Sequence, residues 1–563
     1  MAEDLASYHE EYFTGALTSA VVRMVERLVR EQAVRRLWTI DPSMFTDDVD
    51  SAKAIPGQMG FLRAAEFMAT DWPNVTSYVR QVYHSGVRKV LVLASGAESA
   101  NARVILEILG QNPGFPEVRV LDDSEPAAVL AFQEWLEPSA SLVVVMAKGE
   151  LSPELEALEV CFWQKMATGI AEPQRAFVAV TEPGGPLARL ARRRRYQRIF
   201  ESPTDITARY SAFSYFGVLP AALAGADGQL VLAHAHKMGD RCSPAVPIEQ
   251  NSAFRMASFL GGLLTAGKDK LTLILAPEFK PFGRYLEQLL AGSCGKRKQG
   301  LVVVDGEPIG SPQVYGADRV FFYLRMGAER TALDDQVDSL VVAGFPVATT
   351  TLRDRASIGA EILRWQLATV LLCSCIGVNP FDETDLAQTR TGTARFLEAY
   401  ARDSVLPKWR ASTPTDPPLA ELLRGLKRFD FVSIGAFFYE TEARRRTLQE
   451  VQRLLRSAFS VVATQGFGAP CLYATGGSQR TGCEGGAHLL LTALPEGDVP
   501  IPEKAYSFAI VRDAQALAHL QLLQHNARRA LRLHLGADID LGLAQLRDQI
   551  RDLSSAPKPS AGG

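Results

Sequence analysis

Cysteine is scarce in this chain: seven in 563 residues, an odd number at irregular spacing. That excludes a disulfide framework and argues for reduced thiols in a cytoplasmic setting. Cys373 and Cys375 lie two apart on a predicted helix and point to different sides, so they make a poor joint metal site. Long hydrophobic runs are missing as well. No apolar stretch reaches the roughly 20 residues of a membrane span, and the best candidate, Leu367 to Val378, follows Arg364 and Gln366 and reads as a buried helix. Charge of one sign is not in surplus either. Sixty Lys and Arg face 63 Asp and Glu, a net −3, so no global field draws the chain to nucleic acid or an anionic membrane. The one basic cluster, Arg192 to Arg195 with Arg198 nearby, reads as a solvated helix face, with a polyanion patch as the alternative. The N-terminal Met-Ala-Glu-Asp-Leu is acidic and lacks the basic-then-apolar plan of a secretory leader. The expectation is a cytoplasmic protein with no membrane or nucleic-acid partner, no metal and no other cofactor.

What is present is the composition of an ordinary globular protein, 47% apolar and 22% charged. Residues 1–60 read as helical. Beyond them, short β-branched runs alternate with helical stretches: Val90 to Ala94, Val118 to Leu121, Leu142 to Met146 and Ala176 to Thr181. Near-continuous apolar strands between helices imply parallel sheets covered on both faces. The plan starts again at Leu271 to Leu275, Leu301 to Val304 and Val320 to Leu324, followed by a long apolar helix at Ile358 to Ile376. Past a breaker-rich loop at 411–418 come strands near Phe431 to Tyr439, Ser460 to Thr464, His488 to Ala493 and Leu531 to Leu535. The Pro/Gly/Ser tail from Ser554 is expected to be disordered.

Several segments carry a resemblance. One is Asp205-Ile-Thr-Ala-Arg-Tyr-Ser-Ala-Phe-Ser-Tyr-Phe-Gly, running on to Gly225; another is Arg36-Leu-Trp-Thr-Ile-Asp41. Further ones are Leu301-Val-Val-Val-Asp-Gly-Glu-Pro308, Val314-Tyr-Gly-Ala-Asp-Arg319, Arg364-Trp365, Gly377-Val-Asn-Pro-Phe-Asp382 and Pro500-Ile-Pro-Glu-Lys-Ala-Tyr506. In this order the segments resemble the phosphoglucose isomerase family, specifically the isomerase half of bifunctional transaldolase–phosphoglucose isomerase proteins. The transaldolase half of that resemblance is missing. The family implies an α/β fold of two sugar-isomerase (SIS) three-layer α/β/α sandwich domains with parallel sheets, assembled as a dimer. The expected division is a helical segment at 1–60, a first SIS domain at 61–240 and a second at 241–410. A C-terminal portion at 411–540 is expected to complete the second domain, with a partly disordered tail at 541–563.

Aldose–ketose isomerisation moves a proton between adjacent carbons through an enediolate. It needs a carboxylate base, a cation for the oxyanion, a proton shuttle for ring opening and a phosphate cradle of backbone N–H groups and hydroxyls. The resemblance places the first phosphate loop at Ala94-Ser-Gly-Ala-Glu-Ser99, where Gly96 and Ser99 survive and Glu98 replaces a small hydroxyl residue. The second is Ala147-Lys-Gly-Glu-Leu-Ser152, where Lys148 and Ser152 survive and Glu150 intrudes. Both glutamates are expected to weaken phosphate binding unless they turn to solvent or pair with Lys148. The family's Glu-Ser-Thr-Gly-Lys aligns with Gly292-Ser-Cys-Gly-Lys296, which puts the base at Gly292. Its ring-opening histidine aligns with Gln479, and an amide shuttles no protons near neutral pH. Arg390 stands at a lysine position and keeps only charge. Arg209, the enediolate-stabilising cation of the family, is present, although Thr207 and Ala208 replace the paired glycines before it. Glu484 is the one nearby substitute for the lost shuttle.

Other features have plain readings beside functional ones. His234 and His236, read on a strand, could share a metal but lack a third ligand. Cys294 beside Gly292 lacks a histidine partner and reads as an inert thiol. Gly476-Gly477 and Gly485-Gly486 read as turns, and Trp365 and Phe381 as core. The sequence therefore points to a catalytically degenerate family member with a binding, regulatory or assembly role. Its candidate partners are a sugar phosphate or other small ligand, a second copy, or another isomerase-family subunit. An active sugar-phosphate isomerase with repositioned groups is the alternative.

Overall fold

The computed structural model of the chain describes residues 8–407, 410–472 and 482–555. In chain order its strands are β1 (His9–Phe13), β2 (Lys89–Leu93), β3 (Glu117–Leu121), β4 (Ser141–Met146), β5 (Phe177–Thr181), β6 (Arg198–Glu201) and β7 (Lys270–Leu275). They continue with β8 (Val302–Val304), β9 (Arg319–Met326), β10 (Val347–Leu352), β11 (Phe431–Phe437), β12 (Val462–Phe467), β13 (Gly486–Thr492) and β14 (Arg529–His534). The strands sort into three sheets of order β3-β2-β4-β5-β6, β1-β10-β9-β7-β8 and β12-β11-β13-β14. All neighbours pair in parallel except β1 on β10, with His9 opposite Thr351. β4 reads Ser-Leu-Val-Val-Val-Met and is buried along its whole length, as a strand covered by helices on both faces must be.

The long apolar segment is the helix Ile358–Ile376, with all but its last residue buried. It ends because Gly377 takes a left-handed conformation, φ 67°. One continuous core joins this helix to the helices Thr18–Arg30, Ala64–His84 and Ser252–Thr265 and to the facing sides of the first two sheets.

Four expectations need correction. Residues 9–13 of the supposedly helical N-terminal segment form β1, whose alternating His-Glu-Glu-Tyr-Phe pairs with an edge that would otherwise be open. The strands after residue 430 do not extend the second sheet. They build a third one, whose inner face packs its own core of Val432, Ile434, Leu489, Leu491 and Leu533. The segment from 541 is not a loose tail through Ser555: helix Ile539–Ser555 buries Leu543, Leu546 and Ile550 against that core. Finally, His234 and His236 lie on the helix Gly228–Arg241, not on a strand, so their side chains diverge.

The family-like segments outside the catalytic positions are joints of this architecture. Arg319 at the start of β9 makes a two-pronged ion pair with Glu307, at 2.9 and 3.1 Å, and both side chains are fully buried. Arg36 donates to Asp41 at 2.7 Å, and Trp38 to the carbonyl of Cys242 at 2.9 Å. Arg364 grips Glu361 from within the core helix, with Trp365 completely buried beside it.

Candidate functional site

The junction of the first two sheets gathers the residues that the resemblance singled out. Arg209 sits in the short helical turn Ala208–Tyr210 and is 6% exposed. Its Nη1 donates to the carbonyl of Pro380 at 3.0 Å, and its Nη2 lies 3.7 Å from Glu383. The guanidinium lies directly over Gly292, on the helix Lys280–Cys294. A β-carbon added at Gly292 would come within 2.4 Å of Arg209 Nε, 2.7 Å of Cζ and 2.8 Å of Nη2. The cation therefore occupies the room that a side chain at this position would need. Lys296, at the end of the same motif, turns its Nζ to the carbonyls of Ser293 at 3.2 Å and Asn379 at 2.7 Å. Burial, with Arg209 close by, brings its pKa down to about 8. Both cations are thus held by backbone carbonyls of the Asn379–Pro380 loop.

The phosphate-loop residues also face inward. Gly96, at φ 57°, opens the helix Gly96–Leu109, and Glu98 lies in that helix's first turn, 3% exposed. Its carboxyl accepts the backbone N–H of Lys148 at 3.0 Å. A helix N-terminus plus a loop N–H is where an anion would bind, and here a side chain of the protein fills the place. Burial pushes Glu98 up from the ordinary carboxylate range, against the pull of Arg390 and the Lys148 N–H. In either protonation state the carboxyl takes the volume and the donor. Ser99 donates to the carbonyl of Gly96 at 3.0 Å, Ser152 caps the helix Pro153–Gly169, and Ser95 and Ser152 share a contact of 3.2 Å. Lys148 Nζ donates to the carbonyl of Pro203 at 2.8 Å and lies 3.7 Å from Glu182.

Two expectations change here. Glu150 is exposed, turned to solvent rather than into the loop, because Gly149, at φ 76°, swings the chain outward before it. Glu484 is no substitute for a proton shuttle beside Arg209: it is a surface residue paired with Lys298 at 2.7 Å. Gln479, Gly476 and Gly477 lie outside the described residues. Arg390, on the helix Thr384–Asp403, faces Glu98 electrostatically. Cys294 is buried, with its sulfur 3.5 Å from that of Cys373. Glu383 was not anticipated. Its one sequence signal is that it directly follows Asn379-Pro-Phe-Asp382.

No family model matches the chain. Among curated proteins it is 27% identical over 249 residues to glucose-6-phosphate isomerase from a Cyanothece species, a match covering 41% of this chain and 46% of that one. It is also 27% identical over 333 residues to glucose-6-phosphate isomerase from a Synechococcus species, covering 52% and 62% respectively. These matches therefore span about half to three fifths of the relatives' own length. Over these stretches the chain resembles glucose-6-phosphate isomerases. The fold is that of SIS-type α/β/α sandwiches. The structure of a glucose-6-phosphate isomerase from Chlamydia trachomatis superposes with a TM-score of 0.58 at 13% identity, over 70% of this chain and 89% of that one.

Set against this likeness, the surviving and altered positions form a pattern. The retained segments make ion pairs and hydrogen bonds, half-exposed between Arg36 and Asp41 and buried at Glu307 with Arg319 and at Arg364 with Glu361. The altered positions, Gly292 and Glu98, are the ones that the resemblance places at the base and in the phosphate loop.

Proposed function

We propose that this chain is a glucose-6-phosphate isomerase relative that has lost isomerase catalysis and acts as a binding, regulatory or assembly subunit. One observation carries the reading: Arg209 is packed onto Gly292, so that position offers no base and no side chain fits there without displacing the cation. The filled phosphate loop supports it, since a sugar phosphate would have to expel the buried Glu98 carboxyl from the Lys148 N–H. Removing a catalytic acid or base typically lowers rate by about 10²–10⁴, so the loss of a base leaves little turnover. The test is a coupled assay converting fructose 6-phosphate, read through glucose 6-phosphate oxidation. The expected result is no turnover above that of the Gly292→Ala chain.

A second reading rests on Glu383, the half-exposed carboxylate paired with Arg209 at 3.7 Å. If Glu383 replaced the missing base, the same assay would give turnover that Glu383→Gln abolishes. That pair of results would establish a working isomerase.

A further inference from the structure

A cavity of about 720 Å³ opens beside this site, where the carboxyl ends of strands from all three sheets converge. Asp122 and Asp123 follow β3, Leu275 ends β7, Asp305 follows β8, and Gly466 and Phe467 close β12. Parallel α/β sheets bind ligands at this end of their strands, and the volume suits a small molecule. The helix Lys280–Cys294 separates the two places. It turns Lys280, Arg284 and Glu287 to the cavity, while Gly292 faces Arg209.

The cavity wall is acidic after its internal pairs are counted. Asp122 is taken by Arg103 and Arg284, each at 2.9 Å, and Arg445 by Glu440 at 2.6 Å. Glu307 is held from behind the wall by Arg319 at 2.9 Å. Asp123, Glu287 and Asp305 have no cationic partner among the described residues, and Lys280 alone is left to oppose them. Glu287 is the telling one. It is 9% exposed, lines the cavity, and makes no hydrogen bond or ion pair with any described residue. Gln465, also in the wall, buries its carbonyl oxygen without a partner. Two glycines make room for the other acids: a β-carbon at Gly283 would lie 2.2 Å from the Asp305 carboxyl, and one at Gly468 would lie 2.3 Å from that of Asp123. Burial raises Glu287 to about 8, Asp123 to about 7 and Asp305 to about 6, and the pull of the nearby Arg284 offsets only part of it.

We propose that this cavity is a binding site for a small organic cation with several N–H donors, a diamine or a guanidinium compound, whose charge sits among Asp123, Glu287 and Asp305. An unpaired buried acceptor is costly until a donor reaches it, and an ammonium group supplies both the donors and the missing positive charge. A phosphorylated ligand would meet three carboxyls outside any ion pair, while the lining arginines are already engaged by Asp122 and Glu440. A neutral polyol would satisfy the hydrogen bonds but leave the acidic excess in place. The inference does not depend on the sugar-phosphate reading of the neighbouring site.

The test is calorimetric titration of the full chain with 1,4-diaminobutane and with agmatine at matched ionic strength, with sorbitol and glucose 6-phosphate as comparisons. Saturable one-to-one binding of one of the amines is expected. Glu287→Gln and Asp305→Asn should each weaken it roughly tenfold or more, the scale of one ionic hydrogen bond. Gly468→Ala, which crowds Asp123, should weaken it as well. Absence of saturable amine binding at millimolar concentration would overturn the proposal. So would equal affinity in the wild-type chain and in whichever of the three variants fold, or tighter binding of sorbitol or glucose 6-phosphate than of either amine.

Discussion

Gly292→Ala is the smallest change that tests whether Arg209 has taken over the space above this helix. Two opposing effects set its sign. Gly292 lies inside the helix Lys280–Cys294, where replacing glycine by alanine normally stabilises by about 0.5–1 kcal/mol. Against this, the new methyl would begin 2.4 Å from Arg209 Nε, about 1 Å inside ordinary contact distance. The guanidinium must shift by that amount, and it is 6% exposed and anchored to the Pro380 carbonyl at 3.0 Å. Breaking a hydrogen bond to a charged group costs about 1.5–3 kcal/mol, more than the helix gains. The net expectation is a loss of about 1–2 kcal/mol, from the difference of these two effects, seen as a lower melting temperature in a calorimetric scan. The sign should reverse in an Arg209→Ala background, where the methyl meets no guanidinium and only the helix preference remains. A Gly292→Ala chain that melts higher than wild type with Arg209 intact would refute the packing argument, and with it the main support for lost catalysis.

Three other outcomes follow from the structure. Glu98→Ser should free the Lys148 N–H now held at 3.0 Å and confer a glucose 6-phosphate-dependent rise in melting temperature that the wild-type chain lacks; a variant as indifferent as wild type would show that Glu98 is not what blocks the loop. Glu287→Gln should be stabilising in a pH-dependent way. Its folded pKa, raised to about 8 by burial, with Asp305 adding and Arg284 opposing, exceeds the ordinary value, so the native glutamate's contribution is full at acid pH and is lost as pH climbs toward 8. The variant's advantage should therefore be near zero at pH 4 and reach about 2–4 kcal/mol at pH 8.5, and an advantage that is flat with pH would contradict an unpaired buried acid. Glu307→Ala should leave Arg319 and Arg456 buried without their shared partner, 2.9 and 3.5 Å away, at a cost of about 3–5 kcal/mol; a melting temperature unchanged from wild type would contradict that buried pairing.

Much of the architecture was legible from local pattern. The fully apolar runs of β4 and β5 could only be strands covered on both sides, and the core helix announced itself by length. The misreadings have one cause: strand and helix propensity are weak where tertiary partners decide. His9 to Phe13 is too short to declare itself until it meets the edge of β10, and the pair His234 and His236 alternates like a strand although Asp227 caps the first turn of a helix there. Near the site, the resemblance pointed to Gly292 and Glu98 as the positions to inspect. They did not show that Glu150 points away, nor that Glu383 stands beside Arg209.

The order of residues alone settled the repetition of parallel strands and the likeness to sugar isomerases, because those are properties of composition and pattern along one dimension. Folding decided what stands at the Gly292 and Glu98 positions. Arg209 and Gly292 are 83 positions apart in sequence, Glu98 and Lys148 are 50, and Glu287 shares its cavity with acids from two other sheets. Whether a cation fills an empty place, or a carboxyl is left without a partner, depends on which distant side chains the sheets bring within a few ångströms, and short-range pattern carries no record of that.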